Sequence, residues 1–272
     1  FDGIHTTACL GDPALSGRMK IVRVHNIEHR YYHTLGRFEK NLLRKIYFEV
    51  EALRLKTYEK VLRHSDILLT VSETDQEYFE RKYNNAELIP SFHPCETVES
   101  PEGTGDYIIF HGDLSVNENV VVAEHLITRI LSKLPYRCVI AGKKPPRQLL
   151  EKASGYSNIK IVADPGEEEM NALIRNAHTN LLFAIAANGL RLKLLIALFS
   201  GRHVICNSNI VKGTLLAPAC HVEDSAEGIA GKINELMKIP FTMYDISDRK
   251  KMVSQYSNSY NTERLMRLIF RA

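Results

Sequence analysis

The sequence lacks three features that would each indicate a particular class of protein. Its five cysteines are dispersed and form no CxxC pair, so they indicate neither a disulfide framework nor a zinc knuckle. Its longest apolar runs, residues 181–187 and 194–199, are far shorter than the roughly 20 residues that cross a bilayer. Its 35 Lys and Arg against 32 Asp and Glu give a net charge of only +3, which does not indicate a nucleic-acid partner. We therefore expect a cytoplasmic protein with no nucleic-acid ligand.

What the sequence does have is the composition of an ordered globular protein. Hydrophobic residues make up 44% and charged residues 25% of its 272 residues, close to the averages of soluble domains. This length allows one large domain or two of ordinary size. The chain begins with Phe1 and shows no leader pattern at its start, so we expect a truncated or processed chain.

Between residues 107 and 237, short β-rich runs alternate with amphipathic stretches. The predicted strands are residues 107–110, 137–141, 159–162, 180–185, 203–206 and 220–222. The predicted helices between them are residues 119–132, 146–153, 167–177, 190–199 and 226–237. Crossovers of this length produce parallel strands, whose carboxyl ends share the sheet edge where open sheets bind ligands. The pattern predicts a doubly wound α/β domain.

The first hundred residues show the same pattern with fewer strands. The predicted strands are residues 20–24, 67–71 and 88–89, and the predicted helices are residues 38–63 and 73–83. Ser72, with Asp75 three residues later, is typical of a capped helix start. Three strands are few for an independent α/β sheet, so we expect this domain to lack its opening strands.

A polar segment separates the two patterns. It contains Pro101, Gly103 and Gly105, which are typical of a linker. We therefore predict a partial N-terminal domain over residues 1–100, a second domain over residues 101–240, and a helical segment over residues 241–272 that packs across the domain junction.

His25, Glu28 and His29 form an HxxEH pattern, which can bind zinc when it lies within a helix. However, His25 directly follows a predicted strand and Asn26 is a candidate helix N-cap, which would separate the two imidazoles. A structural role for His29 and His33 is one alternative. The other is that His25 lies at a strand end, facing an interdomain cleft, where a neutral imidazole can bind a hydroxyl or a phosphate.

Two glycine turns follow strands and are candidate anion sites. Gly112 lies between a strand and a helix, so backbone N–H groups and the helix N-terminus could meet a phosphate there. Gly142 repeats this arrangement one unit later, followed by the cations Lys143 and Lys144. An ordinary turn is the alternative at each position. Neither loop matches a Walker motif or GxGxxG, which disfavours simple nucleoside triphosphatases and nicotinamide enzymes.

A third glycine turn precedes a helix rich in cations at its start. Gly189 is followed by Arg191 and Lys193, which together predict a pyrophosphate site, with a solvated helix start as the alternative. Gly213 and Thr214 follow a later strand and either close the same site or form a simple turn.

Taken in order, several segments resemble the GT-B glycosyltransferases of group 1, a retaining group also called family four. The resemblance covers almost the whole chain. It is carried by RVHNIEH at residues 23–29, HSDILLTVS at 64–72, FHGDL at 110–114 with the asparagines that follow, VIAGK at 139–143 and GLRLKLLIALFSG at 189–201.

The resemblance implies two Rossmann-like doubly wound domains and transfer of a sugar in the cleft between them. The acceptor, a glycan or lipid-linked glycan, would bind the N-terminal domain, where His25 would be the catalytic-site histidine that positions the donor sugar. The configuration of the sugar would be retained, with no metal or other cofactor, in assembly of a bacterial surface polysaccharide. The nucleotide-sugar donor would bind the C-terminal domain through Gly112, Asn117, Gly142, Lys143, Gly189, Arg191, Lys193, Gly213 and Thr214.

The chain departs from the family pattern at two places. Asp113 and then Asn117 stand where many members carry phosphate-binding cations, although other members have asparagines there. Ile196 stands where members carry the glutamate that binds the ribose hydroxyls, and its partner position, Asn188, is not acidic. These departures support an alternative, a catalytically degenerate sugar-nucleotide-binding or partner subunit. A zinc hydrolase using the HxxEH pattern is a third hypothesis.

The predicted helix over residues 38–63 has mixed charge. Through Lys40, Arg44 and Lys45 it could make a weak peripheral contact with the inner face of a membrane. A solvated helix face is the alternative.

Overall fold

The computed structural model describes residues 1–39, 41–186 and 192–270, which divide into two compact units. The first unit contains residues 1–91 and 264–270, and the second contains residues 92–186 and 192–263. The predicted domain limits near residues 100 and 240 stay predictions. No helix of the described ranges is long and apolar enough to cross a membrane.

The first unit is built around a three-stranded parallel sheet in the order β1-β2-β3. Its strands are β1 (Ile21–Val24), β2 (Ile67–Thr70) and β3 (Ala86–Leu88). Its helices are α1 (Glu28–Phe38), α2 (Leu42–Tyr58) and α3 (Glu73–Tyr83). The expected cap of α3 is confirmed, since the Ser72 side chain accepts a hydrogen bond from the Asp75 amide at 3.2 Å. Asn84, in the left-handed conformation, ends this helix.

The helix predicted over residues 38–63 is confirmed over most of its length, as α2 followed by a 3-10 helix at Glu59–His64, but it starts at Leu42. A break separates it from α1, a further helix that packs on α2. The break arises because Asn41 caps α2, its side chain accepting hydrogen bonds from the amides of Leu43 and Arg44 at 3.0 and 3.2 Å. Gly36 lets the two helices approach, since a Cβ there would lie 2.8 Å from Glu49 Oε1.

The second unit contains a six-stranded, all-parallel sheet in the order β6-β5-β4-β7-β8-β9. Its strands are β4 (Tyr107–His111), β5 (Arg137–Gly142), β6 (Ile159–Ala163), β7 (Thr179–Leu182), β8 (His203–Cys206) and β9 (His221–Val222). Its helices are α4 (Asn117–Arg129), α5 (Arg147–Ser154), α6 (Glu167–Asn176), α7 (Leu192–Ser200), α8 (Ser208–Val211), α9 (Ala226–Leu236) and α10 (Met243–Val253). A last helix, α11 (Asn258–Phe270), begins in this unit, and its residues from Arg264 onward belong to the first.

Helices cover both faces of the six-stranded sheet, because successive side chains of each strand point to opposite faces. On β4, Ile108 and Phe110 join the apolar cluster that includes Leu126 of α4 and Ile233 of α9. Ile109 joins the cluster on the other face, with Ile174 of α6. The predicted doubly wound, parallel α/β architecture is confirmed.

Candidate functional site

The order of the strands in the second unit defines where a ligand site can lie. Counted along the chain, its strands have the order 3-2-1-4-5-6, so the winding of the sheet reverses between β4 and β7. Open α/β sheets bind ligands at the carboxyl ends of the strands beside such a reversal. The strand ends beside the reversal are His111 of β4 and Leu182 of β7, and Gly142 ends β5, the other neighbour of β4.

Of the two glycines at this edge, Gly142 is required by close packing against the backbone of Gly112. A Cβ at Gly142 would lie 1.9 Å from the carbonyl oxygen of Gly112 and 2.8 Å from Cγ of Leu114. The Gly112 amide donates a hydrogen bond to the Ala141 carbonyl at 3.1 Å. The Gly112 amide is therefore hydrogen-bonded to the neighbouring strand. The main role of Gly142 is to let the turn after β5 contact the turn after β4.

The turn after β4 positions the start of α4, where the predicted site residue Asn117 is the first helical residue. Asp113 Oδ1 accepts hydrogen bonds from the amide and the hydroxyl of Ser115 at 2.9 and 2.6 Å. Asn119 Nδ2 donates to the Asp113 carbonyl at 2.8 Å. The preceding N-cap residue, Val116, has no side-chain group to cap the helix, so the positive end of α4 faces this turn without a capping side chain.

Two lysines follow β5, beside the turn after β4. Hydrogen bonds from Ser115 lower the pKa of Asp113, and the positive charges of Lys143 and Lys144 lower it further. Lys144 adopts a left-handed conformation, with φ at 48°, and its amide donates to Asp164 Oδ1 at 2.8 Å. The Lys143 side chain is exposed. Two lysines and the side chains of Asp113 and Asp164 thus lie together beyond the ends of β4 and β5.

Lys193 brings a further cation to the end of β4. It lies in the first turn of α7, and its Nζ is 5.5 Å from the centroid of the Phe110 ring. The next residue of β4, His111, is buried, and desolvation together with the charge of Lys193 lowers its pKa to about 3. His111 is therefore neutral, and its Nε2 has no hydrogen-bond partner among the residues that the structure describes.

Two asparagines that follow β8 form hydrogen bonds to the backbone of the loop after β7. Asn207 pairs with the backbone of Ala184, Nδ2 donating to the carbonyl at 2.8 Å and Oδ1 accepting from the amide at 3.0 Å. Asn209 Nδ2 donates to the carbonyls of Ala184 and Ile185 at 3.2 and 3.0 Å. The predicted site residues Gly189 and Arg191, a few positions further on, lie outside the described residues.

Gly213 and Thr214 form a turn after the short helix α8. The Thr214 hydroxyl donates to the Val211 carbonyl at 2.8 Å and accepts from the Leu216 amide at 3.2 Å. Gly213 has a φ of 75°, in the region that favours glycine. The Thr214 hydroxyl thus donates one hydrogen bond and accepts another within the turn.

Ile196, at the position where the resemblance leads one to expect a glutamate, packs as an apolar side chain. It lies partly buried against the cluster that contains Ile109, Val139 and Ile174. Its side chain contributes to the core between α7 and the sheet and offers no hydrogen-bond acceptor.

In the first unit, the HxxEH residues do not share a helical face. His25 follows β1, and its Nε2 lies 2.8 Å from Asp2 Oδ1, half exposed. The N-cap of α1 is Ile27 and not Asn26 as predicted, so Glu28 and His29 begin the helix one position later. Glu28 lies 4.0 Å from His5 Nε2, and desolvation raises its pKa.

His29 takes part in a separate cluster around the buried carboxylate of Glu59. Its Nδ1 lies 3.2 Å from Glu59 Oε2, while the Tyr78 hydroxyl donates to Glu59 Oε1 at 2.8 Å and Lys82 also binds that oxygen. Within the described part of the chain, no three His, Cys, Asp or Glu residues are grouped to hold a metal ion. This geometry does not favour the zinc-hydrolase hypothesis.

The structure thus brings four of the predicted donor-site residues to one sheet edge: Gly112, Asn117, Gly142 and Lys143 lie at the ends of β4 and β5. Lys193 reaches the same strand end from α7. Sequence reasoning missed His111, Asn207 and Asn209. A polar residue at a strand end or within three positions after it was the available signal for all three.

Three comparisons place this architecture among known proteins. Residues 105–238 match the family described as Glycosyl transferases group 1. An "Uncharacterized 44.6 kDa protein in cps region" of Klebsiella pneumoniae is 26% identical over 216 residues, covering 75% of this chain and 55% of that protein.

Solved structures share the fold at low sequence identity. S. aureus TarM superposes with a TM-score of 0.68 at 12% identity, covering 98% of this chain and 53% of TarM. Sucrose-phosphate synthase of Thermosynechococcus elongatus superposes with a TM-score of 0.69 at 13% identity, covering 99% of this chain and 73% of that structure. The chain therefore spans about half the length of the K. pneumoniae relative and of TarM. Together with the family match over residues 105–238, these findings confirm the expected resemblance to the group 1 glycosyltransferases and the GT-B-like fold of the chain.

Proposed function

We propose that this protein transfers a sugar from a nucleotide-sugar donor to a glycan or lipid-linked acceptor, with retention of configuration and without a metal or other cofactor. The setting would be assembly of a bacterial surface polysaccharide at the cytoplasmic side of the membrane. The family match supports glycosyl transfer, and the relative encoded in a cps region supports the polysaccharide setting.

The observation that carries the proposal is the convergence of two lysines and a helix N-terminus on the carboxyl ends of β4 and β5. Lys193 lies over Phe110 at that end, the uncapped start of α4 follows it, and Lys143 lies at the neighbouring end of β5. Cations and helix N-termini are the groups that bind diphosphates. We infer that the donor diphosphate binds here.

The chemistry requires stabilisation of a departing nucleoside diphosphate. As the bond between the sugar and the diphosphate breaks, negative charge builds on the leaving oxygens, and preorganised cations lower the energy of that state. Lys193 is the residue we expect to supply most of this effect. His111 is too strongly desolvated to be protonated near neutral pH, so we propose no proton transfer from it.

We propose that His25 contacts the donor sugar near its reacting carbon and acts by positioning. The interaction of its Nε2 with Asp2 favours a fixed orientation of the ring. We expect the acceptor to bind the first unit.

Ile196 favours a second candidate function, a sugar-nucleotide-binding or partner subunit without catalysis. An apolar side chain cannot accept a hydrogen bond from ribose hydroxyls, and a missing acceptor would cost on the order of 1–3 kcal/mol of donor affinity. Such a protein would bind a donor weakly and would not turn it over.

Calorimetric titration with a panel of uridine and guanosine diphosphate sugars, followed by an assay of donor hydrolysis, tests these alternatives. Binding with turnover supports the enzyme, and binding without turnover supports the partner subunit. If no donor binds even at millimolar concentration, both proposals fail for this chain.

Lys193→Ala tests the location of the diphosphate. Loss of a charge-assisted contact is expected to weaken donor affinity by about 1.5–3 kcal/mol, a roughly 10- to 150-fold rise in Kd. Lys238→Ala, which removes an exposed lysine after α9, is the matched control and should leave Kd unchanged. Equal Kd values for the Lys193 variant and the wild type would reject this location.

A further inference from the structure

One face of α2 is apolar and lies open to solvent. Its large side chains are each at least half exposed, from 50% at Val50 to 78% at Leu43. The opposite face, with Ala52 and Leu55, is buried in the core of the first unit. The residues of this exposed face, which we call the apolar face of α2, are Leu42, Leu43, Ile46, Tyr47, Val50 and Leu53.

The six side chains form one continuous surface. At 100° per residue they fall within an arc of about 140° along three turns of the helix. Isolated exposed apolar residues are common on protein surfaces, but a continuous apolar patch of this kind marks an interaction site. The face is convex, being the outer side of a single helix, so it fits a flat or deformable partner.

Cations border the apolar face on both sides. Arg44 and Arg54 lie along one margin, and Lys45 and Lys56 lie along the other, all four exposed. Within the described residues, Arg44, Lys45 and Lys56 have no ion-pair partner, while Arg54 lies 3.4 Å from Glu51.

The two acidic side chains of α2 offset part of this charge. Glu51 lies 3.4 Å from Arg54, and Glu49 Oε2 lies 2.8 Å from His33 Nδ1 on α1. Four cations against two carboxylates leave the surface around the apolar face with a net positive charge. A second copy of the chain, docked face to face, would bring like charges together along both margins, which disfavours self-association through this face.

The geometry points to an anionic lipid surface as the partner of the apolar face of α2. The apolar side chains would enter the boundary between headgroups and acyl chains, and the flanking lysines and arginines would reach the lipid phosphates. Tyr47, at one edge of the face, has the amphipathic ring that is typical of this boundary. The surface is independent of the proposed transfer reaction, since it can bind lipid with no donor present.

This mode of contact differs from the one expected from the sequence. The sequence suggested a weak electrostatic contact through Lys40, Arg44 and Lys45. Lys40 lies outside the described residues, and the structure adds an exposed apolar face that would supply hydrophobic insertion as well.

Co-sedimentation with vesicles tests the inference. The full chain is mixed with vesicles of phosphatidylcholine alone, or of phosphatidylcholine with phosphatidylglycerol, at low and high salt. We expect binding to the anionic vesicles that weakens as salt screens the cations. No binding to anionic vesicles at low salt would overturn the inference.

Two double variants separate the apolar and the cationic contributions. Leu43→Gln with Ile46→Gln removes two of the apolar side chains and should lower the partition coefficient roughly tenfold or more. Arg44→Gln with Lys45→Gln should lower it roughly 10- to 30-fold on anionic vesicles and little on neutral ones. Glutamine preserves helix propensity at these exposed positions, so both variants should fold.

The matched control removes exposed apolar residues elsewhere. Met243→Gln with Tyr244→Gln changes two exposed residues at the start of α10 and should leave vesicle binding unchanged. Equal loss in this control and in the Leu43 and Ile46 variant would overturn the inference. So would a dimer, measured by light scattering, that the Leu43 and Ile46 variant abolishes while vesicle binding is absent.

Discussion

Replacing Gly142 by alanine tests the packing that forms the edge of the proposed donor site. The added Cβ would lie 1.9 Å from the carbonyl oxygen of Gly112, a backbone atom, and 2.8 Å from Cγ of Leu114. The ends of β4 and β5 are held in register by the pair His111 and Ala141, so they cannot separate without loss of ladder hydrogen bonds. Overpacking of this kind costs about 1–3 kcal/mol, and the backbone contact places Gly142→Ala near 3 kcal/mol.

Chemical and thermal unfolding measure this effect. For a unit of this size, each kcal/mol lowers Tm by about 2–4 °C, so we expect a fall of about 6–12 °C. Gly231→Ala is the matched control, because Gly231 lies in the middle of α9 with no heavy atom near its missing Cβ. There, alanine should stabilise the unit by about 0.5–1 kcal/mol. Identical unfolding midpoints for Gly142→Ala and the wild type would refute the reasoning.

Two further predictions concern buried ionisable side chains. Burial lowers the pKa of His203 from 6.5 to about 4, so the unfolded chain binds a proton between these pH values that the folded chain does not. The free energy of unfolding should therefore fall by about 3 kcal/mol as the pH drops from 6.5 to 4. Urea titrations at each pH should show a smaller fall for His203→Gln. An unchanged pH profile in this variant would contradict the assignment of the effect to His203. Glu59→Ala removes the 2% exposed carboxylate that binds Lys82 and Tyr78 and should cost about 3 kcal/mol of unfolding free energy, whereas Glu77→Ala, on the exposed side of α3, should change it by less than about 0.5 kcal/mol. Similar losses in these two variants, measured by chemical denaturation, would count against the Glu59 cluster.

Local pattern was sufficient for most strands and helices of the second unit. The predicted strand at residues 203–206 matches β8 as observed, because a buried parallel strand is a short apolar run bounded by turns. The strand predicted at residues 180–185 ends instead at Leu182. Its last residues are apolar, but Asn207 binds the backbone of Ala184, and that contact comes from a loop 23 residues away.

The first unit shows where local pattern fails. The helix start after Asn26 was predicted one position too early and without an end, and the helix predicted from residue 38 starts at Leu42. A helix cap by Asn41 is a local signal that sequence reading could have used. The exposure of the apolar face of α2 could not be predicted from the sequence. This helix carries apolar residues on both faces, and periodicity does not indicate which face is buried.

Some features of the candidate site could likewise be predicted from the sequence, and others could not. Glycines after strands and cations at a helix start were visible in the sequence, and so were Gly142, Lys143 and Lys193 as candidates. The steric contact between Gly142 and Gly112 was not visible, nor was the burial of His111 beside Lys193. Both depend on atoms that belong to different strands and helices.

The sequence by itself determined the alternation of strands and helices, the capped start of α3 and the positions of the glycine turns, since each depends on neighbouring residues. Only the tertiary structure decided the strand order that places β4 between β5 and β7. That order depends on hydrogen bonds and apolar contacts between segments far apart in the chain, and these contacts bring Lys193 to the end of β4 and leave one face of α2 in solvent.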